Sequence, residues 1–182
     1  MKRDTREILL DAATVVFSKN PGAPLSEVAS TAGVGRATLY RYFPSRDDLI
    51  RELTLESYRQ TDAALAPVLA RDLSGEELLL AILEAIIPLG DRYYFLLLER
   101  TYEHVPEIQA LTQRDEKEWH SLFESMKSKG VIAPEVPTAW AKAAVEALIY
   151  AAWSSAHEGY IATREAPKLV YRTLMAGLGP KS

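Results

Sequence analysis

SEVASTAGVGRATLYRYF, residues 26–43, is the stretch that decides the fold. Two short helical patterns flank a turn, and Gly33 stands where the first pattern ends, a position that favours a residue able to adopt the left-handed conformation. Ser26 is predicted to cap the first helix, and Gly35 the second. The apolar positions of the first helix and the turn are Val28, Ala29, Ala32 and Val34. The pattern predicts a helix-turn-helix whose second helix enters a DNA major groove.

The second helix of the pair is predicted over residues 36–43. At about 100° per residue, Leu39 and Phe43 share one face and Arg41 points away from them. The outward face offers guanidinium, phenol, hydroxyl and methyl groups without a carboxylate, which suits guanine edges, thymine methyls and phosphates. A solvated surface helix is the alternative. The candidate DNA-binding residues are Ser26, Arg36, Ala37, Thr38, Tyr40, Arg41, Tyr42 and Arg46.

A longer helix is predicted to follow, capped by Ser45 and continuing toward Leu65. Asp47 and Asp48 suit the positive end of its dipole, whereas Arg46 is a cation at the same end. This placement favours a phosphate contact for Arg46 over a structural role. The helix physically joins the N-terminal head to the rest of the chain.

The chain from residue 6 to about residue 53 resembles the TetR family of bacterial transcriptional regulators. Three departures are visible: Tyr42 where the family often has histidine, Arg46 where it often has lysine, and Gly35 in place of a hydroxyl residue. The first two keep a hydrogen-bond donor, and the third could remove one phosphate contact. The matching segments are Phe17, Val28-Ala29, Ala32-Gly33-Val34, Thr38-Leu39-Tyr40-Arg41-Tyr42-Phe43 and Ser45-Arg46-Asp47-Asp48-Leu49.

The composition suits a folded helical protein that binds nucleic acid with one end. The chain has 182 residues, a net charge of −4 and no cysteine, which excludes disulfides, thiolate metal sites and cysteine nucleophiles. The first 51 residues carry eight Lys/Arg and six Asp/Glu, so the negative charge lies in the remainder. No apolar run reaches the roughly 18 residues of a membrane span and no signal peptide is evident, so a cytoplasmic protein, nucleoid-associated when bound to DNA, is expected.

The remainder of the chain is predicted to be all helical. The full expectation is an all-α fold of about nine helices, with a helix-turn-helix head at 1–51 and a ligand-binding and dimerisation body at 52–182. Pro88-Leu89-Gly90 is predicted to interrupt one helix, and Asp91 to cap the next, apolar one. Body helices are predicted over residues 74–87, 93–98, 106–130, 138–158 (capped by Thr138) and 167–178.

The helix predicted over 138–158 is rich in small residues that would allow another helix to approach closely. With the last helix, it could form a four-helix bundle between two subunits. Intrachain packing is the alternative, and the family resemblance, which implies dimerisation through the last two long helices, favours the dimer. The small residues are Ala141, Ala143, Ala144, Ala147, Ala151, Ala152, Ser154, Ser155 and Ala156, and the apolar ones of the last helix are Leu169, Val170, Leu174, Met175 and Leu178.

Catalytic and metal signatures are absent from the sequence. A di-iron bundle repeats Glu-x-x-His, but Thr101 and Lys117 stand three positions before His104 and His120. No catalytic residue, metal or cofactor is therefore expected. Aromatic and acidic side chains of the body could instead line a pocket that takes a cationic group, although plain core packing is the alternative for each aromatic. The candidate ligand-binding residues are Tyr93, Tyr94, Glu99, Tyr102, Glu103, Trp119, Trp140 and Trp153.

These features favour a homodimeric transcriptional repressor that a small-molecule ligand releases from its DNA operator. The expected partners are an operator, a second copy of the chain and an unidentified effector, with no membrane. An activator or a DNA-binding module without an inducer is the alternative. An enzyme that uses the helical body is a third hypothesis, for which no catalytic geometry argues.

Overall fold

The computed structural model describes residues 4–93 and 105–179, without the side chains of residues 91–93. Every regular element in these ranges is an α-helix, so the predicted all-α class is confirmed; about nine helices were expected, and the described ranges contain eight. The helices are α1 (Thr5–Lys19), α2 (Leu25–Thr31), α3 (Arg36–Tyr42), α4 (Arg46–Leu69), α5 (Gly75–Tyr93), α6 (Pro106–Ser128), α7 (Thr138–His157) and α8 (Ala166–Leu178).

The head is formed by α1, α2 and α3 around a core that the start of α4 completes. Leu39 and Phe43 are each 1% exposed, which confirms the predicted inner face of α3. The turn before it depends on Gly33, whose φ of +68° is one that a residue with a Cβ adopts only at a cost. Other buried side chains of this core include Leu9, Phe17, Val28, Leu49, Ile50 and Leu53.

The core of the head continues beyond the helix-turn-helix. Leu55 of α4 and Ile108 of α6 are buried in the same cluster as the α1 and α3 side chains. Two helices that continue into the body, α4 and α6, therefore contribute to its boundary, and the partly buried Val105 and Leu111 also pack there. The division at residue 51 stays a prediction, but movement of α4 or α6 acts directly on the packing of the head.

Two predicted helix starts are wrong. The N-cap of α2 is Pro24, with φ −74° and ψ 153°, and Ser26 lies inside the helix. Proline has the φ that this position needs, so the helix begins earlier than the serine pattern indicates. Thr138 is the first residue of α7 rather than its cap, which is Pro137. The hydroxyl of Thr138 instead donates to the Glu124 carboxylate of α6.

The predicted interruption at Pro88 is also wrong. Helix α5 runs through Pro88 and Gly90 to Tyr93, so Asp91 does not cap a new helix. Proline leaves one carbonyl a turn earlier without its helical donor, and Pro88 is exposed, so water can reach that part of the helix. The apolar segment predicted over 93–98 lies, beyond Tyr93, outside the described residues.

The body is organised around α5, which packs against α4, α7 and α8. Helix α6 closes the core through Phe123 and Met126, both fully buried. The remaining core side chains come mostly from α5, α7 and α8: Leu79, Leu83, Ile87, Ala141, Val145, Ile149, Val170 and Leu174.

The environment of Tyr171 in α8 makes the stability of the fold fall with pH in the alkaline range. The Tyr171 hydroxyl donates to the Glu76 carboxylate. Burial, and then this carboxylate, raise the pKa of Tyr171 to about 12 from an ordinary value of 10.0. The folded chain thus holds the phenolic proton more tightly than the unfolded chain. The stabilisation is complete below the unfolded pKa and is lost as pH rises through the folded one.

We therefore expect the difference in Tm between the wild type and Tyr171→Phe to be largest below the unfolded pKa of 10.0 and to shrink as pH approaches about 12. Thermal unfolding followed by circular dichroism measures it. Repeating the comparison in a Glu76→Gln background, which removes the neighbouring charge, should reduce the pH dependence without abolishing it, because burial is the larger cause. A difference in Tm that stays constant over this range contradicts the prediction.

No helix in the described part of the chain is both long enough and apolar enough to cross a membrane.

Candidate nucleic-acid interface

Helix α3 presents a polar, aromatic face to solvent. It begins after Gly35, whose φ of −71° and ψ of 149° confirm the predicted N-cap. Tyr40 is 50% exposed and Tyr42 is 36% exposed, although both are large aromatic side chains. Arg36, Ala37 and Arg41 are also exposed, whereas Thr38 is half-buried. Apart from the half-buried Thr38, the outward groups are therefore the ones that the helical wheel predicts.

The charges on this face have one sign. Helix α3 contains Arg36 and Arg41 and no Asp or Glu. The guanidinium carbon of Arg41 lies 5.3 Å from the centroid of the Tyr42 ring, a cation–π distance that orients both groups. Guanidinium forks suit guanine edges or phosphates, and phenol hydroxyls suit phosphates. A seven-residue helix with this surface fits the width of a major groove.

Arg46 is placed differently from the α3 side chains. Its guanidinium donates to the backbone carbonyls of Pro21 and Ala23, at 3.1 Å for Ala23. It also lies 4.3 Å from the centroid of the buried Phe17 ring. Arg46 therefore has a structural role, which its placement in the sequence did not favour. The phosphate contact of Arg46 stays a prediction, as does the DNA contact of Ser26, which is half-buried in the first turn of α2.

The candidate ligand-binding residues are only partly described. Trp119 is half-buried and stacks on Phe123 with ring centroids 5.6 Å apart. Trp140 is 64% exposed, so it does not contribute to the interior of the body in this chain alone. The structure does not bring it together with Trp119 and Trp153, which both pack against the body core. Tyr94, Glu99, Tyr102 and Glu103, and the side chain of Tyr93, lie outside the described residues.

Trp153 lies in an environment that sequence reasoning missed. Its indole ring lies so close to Gly90 of α5 that a Cβ at residue 90 would fall 1.8 Å from the indole nitrogen. The Trp153 Nε1–H is buried and finds no acceptor among the described residues. A buried donor without an acceptor costs roughly 1–3 kcal/mol, so a bound molecule that accepts this hydrogen bond gains affinity. Glycine inside an otherwise apolar helix was the available signal.

Polar contacts between α4 and α6 form a second feature that the sequence did not indicate. The Tyr58 and Thr112 hydroxyls are 3.0 Å apart. One turn further along, Arg114 donates to both carboxylate oxygens of Asp62 at 3.1 and 2.8 Å. Burial raises the pKa of Asp115 above its usual value, and the adjacent Arg114 partly opposes this shift. We call these contacts, Tyr58–Thr112 and Asp62–Arg114–Asp115, the α4–α6 contact.

Within residues 4–93 and 105–179, no three or more His, Asp or Glu side chains are arranged to hold a metal ion.

Comparison with known proteins bears directly on this arrangement. Residues 9–53 match the family of bacterial regulatory proteins named tetR. The HTH-type transcriptional repressor LfrR of Mycolicibacterium smegmatis is 30% identical over 155 residues, which cover 85% of this chain and 80% of LfrR. The chain belongs to the TetR family of bacterial regulatory proteins.

The similarity to solved members of the family extends over the whole chain. A crystal structure of LfrR from Mycobacterium smegmatis in complex with proflavine superposes with a TM-score of 0.80 at 26% identity and covers 97% of both chains. The ketosteroid regulator KstR2 of Mycobacterium tuberculosis gives 0.77 at 13% identity, a likeness of fold alone. The head is therefore that of a DNA-binding transcriptional regulator, and the predicted family is confirmed.

Proposed function

We propose that this TetR-family protein is a homodimeric repressor that an aromatic, cationic small molecule releases from its operator. The observation that carries the proposal is the exposed face of α3, with Arg36, Tyr40 and Arg41 directed outward and no acidic residue in the helix. Repression, rather than activation, is supported by the similarity to LfrR, which is named a repressor. We infer that the chain acts on cytoplasmic, nucleoid DNA and catalyses no reaction.

A dimer is supported by the surface of α7 and α8. Ala143, Ala147 and Ala151 are exposed and recur every four residues, so they form one stripe on α7. Trp140 and Tyr150 are exposed on the same side of the helix. Exposed Leu169 and Ala176 extend the apolar surface onto α8. Other small residues of α7, such as Ala141 and Ala152, face the core of the body instead.

An aromatic cation as effector is supported from two sides. LfrR binds proflavine in its crystal structure, and proflavine is a flat aromatic cation. In this chain, Trp153 offers a ring face beside Gly90, and its Nε1–H has no acceptor among the described residues. Glu99 and Glu103 remain candidates to balance the positive charge. Trp140 is better assigned to the dimer surface, because its ring is exposed.

The α4–α6 contact supplies a route from the effector to DNA. Helix α4 begins directly after the helix-turn-helix, and Ile108 of α6 is part of the head core. A ligand that shifts α6 or α5 therefore changes the tilt of α4 and the separation of the two α3 helices. Binding of operator and of effector is then reciprocally linked, typically by about 1–3 kcal/mol.

The proposed function is tested with the full chain and genomic DNA. Footprinting of randomly sheared DNA from the source organism should reveal a protected, near-palindromic site with half-sites about 34–36 Å apart. Proflavine should release the protein from that site and raise its Tm in the absence of DNA. Protection that depends neither on DNA sequence nor on proflavine supports the inducer-independent DNA-binding module and overturns the repressor proposal.

Trp153→Phe tests the effector site. Phenylalanine keeps an aromatic ring but is a poorer partner for a cation than indole, so we expect proflavine to bind about fivefold more weakly, a loss of roughly 1 kcal/mol. Operator binding without proflavine should stay within about threefold of wild type, because the substitution is far from the head. Isothermal titration and fluorescence anisotropy measure the two quantities. Trp140→Phe is the matched control and should leave proflavine binding unchanged; equal losses in both variants argue against a Trp153 site.

A further inference from the structure

The Arg46 side chain ties together three parts of the head. It starts α4, and its guanidinium reaches back to the loop between α1 and α2. The ring that it covers belongs to Phe17 in the last turns of α1. One side chain thus fixes the end of α1, the loop and the start of α4 relative to one another.

The loop that Arg46 holds has few other polar restraints. Within it, the Ala23 amide donates to the Asn20 carbonyl at 3.0 Å and the Gly22 amide to the Asn20 side chain at 3.1 Å. Helix α2 begins one residue after Pro24 and has no side-chain cap. The start of α2 is therefore positioned by the Arg46 bonds to the Pro21 and Ala23 carbonyls, together with the apolar packing of Ala23 and Leu25.

A change in α2 reaches the DNA-facing helix through a short connection. The Val34 amide in the turn donates to the Ala29 carbonyl of α2 at 3.0 Å, and α3 begins two residues later. Loosening the start of α2 thus tilts the unit of α2, turn and α3 against α1 and α4. The tilt of α3 decides which base edges and phosphates its side chains reach.

We propose that Arg46 is a positioning residue of the helix-turn-helix, which acts on α2 through the Pro21 and Ala23 carbonyls, and that it does not act as a phosphate ligand. This inference rests on the proposed DNA-binding function. Arginine suits the task because its planar fork serves two carbonyls while its face covers an aromatic ring, whereas lysine is a compact point charge. The positive charge of Arg46 thus interacts with carbonyl groups inside the protein. These contacts offset the unfavourable position of a cation at the start of α4.

The salt dependence of operator binding separates positioning from phosphate contact. Each phosphate that a cation neutralises adds about 0.9 to the slope of log Kd against log salt, so a homodimer that loses two such contacts changes slope by about 1.8. For Arg46→Ala we expect about tenfold weaker binding at every salt concentration, as for lost hydrogen bonds to a charged group, and an unchanged slope. Arg46→Lys should weaken binding about as much as Arg46→Ala. Lysine keeps the positive charge, but it lacks the planar fork that serves two carbonyls at once.

Hydrogen exchange provides the structural readout. Amides of residues 22–31 should exchange faster in both Arg46 variants, while those of α7 and α8 should not change. Arg46→Gln retains an NH2 donor group but no charge, and it replaces the alanine variant if that variant does not fold. It should show an intermediate increase in exchange with an unchanged slope. A slope reduced by about 1.8, or full rescue by Arg46→Lys with wild-type exchange, overturns the proposal. Wild-type protein that binds no operator instead contradicts the proposed function itself.

Discussion

Replacing Arg36, Tyr40 and Arg41 together by alanine is expected to abolish sequence-specific DNA binding while the protein stays folded and dimeric. All three side chains are exposed, so their removal leaves the core formed by Leu39 and Phe43 untouched. A well-placed arginine contact to a base contributes about 1–3 kcal/mol, and each dimer loses four arginines. Operator binding should therefore weaken by at least about 1,000-fold in fluorescence anisotropy.

The matched control for this triple variant changes the same residue types elsewhere. Arg59, Arg71 and Tyr160 are exposed and lie outside the head. Their joint replacement by alanine should leave operator affinity within about threefold of wild type, as for most surface substitutions. Retention of sequence-specific binding by the α3 variant, with an unchanged circular dichroism spectrum, would refute the role given to α3.

Single substitutions on α3 divide the contacts by type. Arg36→Ala should relax the preference for one base pair, since a base contact carries sequence information. Tyr42→Phe should weaken binding to all sequences alike, since a phenol that bonds phosphate does not distinguish them. Tyr42 also orients the Arg41 guanidinium 5.3 Å above its ring, and phenylalanine preserves that contact.

The DNA-facing surface could be predicted from the sequence because a short amphipathic helix sorts its side chains by angle alone. The spacing along the helix alone places Leu39 and Phe43 on the inner face and Arg41 on the outer face. Gly33 was equally readable, since its φ of +68° is a left-handed conformation that glycine adopts without a Cβ penalty. These features depend on residues within one or two turns of each other.

The features that were missed depend on contacts between distant parts of the chain. The carbonyl acceptors of Arg46 are 23 and 25 residues away, and backbone acceptors leave no trace in a side-chain pattern. Residue 90 has no room for a side chain because Trp153 of α7 occupies the space beside it. Taken by itself, the run Pro88-Leu89-Gly90 indicates a break in the helix. The packing of α5 between α4, α7 and α8 overrides this local preference.

The separation into head and body is less complete than the sequence indicates. Ile108 lies in the head core although it belongs to α6, and Arg114 of the same helix holds Asp62 of α4. Helix α6 therefore contacts the head directly and through α4. An effector need not move α4 alone, because displacing the start of α6 also alters the packing on which α3 rests.

Ala147→Glu is expected to convert the protein into a monomer. Ala147 is exposed in the middle of the α7 stripe, so its side chain is not needed to fold one chain. In a two-fold dimer the same surface of both subunits meets, which places two new carboxylates near each other in an apolar contact. Like charges in an interface cost several kcal/mol, so dimerisation should weaken by at least about 100-fold.

Loss of the dimer should also weaken binding to the operator. A monomer engages one half-site, and the second α3 no longer adds its contacts at high effective concentration, so operator affinity should fall by about 100-fold or more.

Ala110→Glu introduces the same charge on an exposed position of α6 and should remain dimeric with near wild-type affinity. Light scattering after size-exclusion chromatography measures the mass of each variant. Because the α3 surface is intact in the Ala147 variant, weak binding to isolated half-sites should survive, which separates an assembly defect from a recognition defect. A dimeric Ala147→Glu protein would place the interface on another surface of the body.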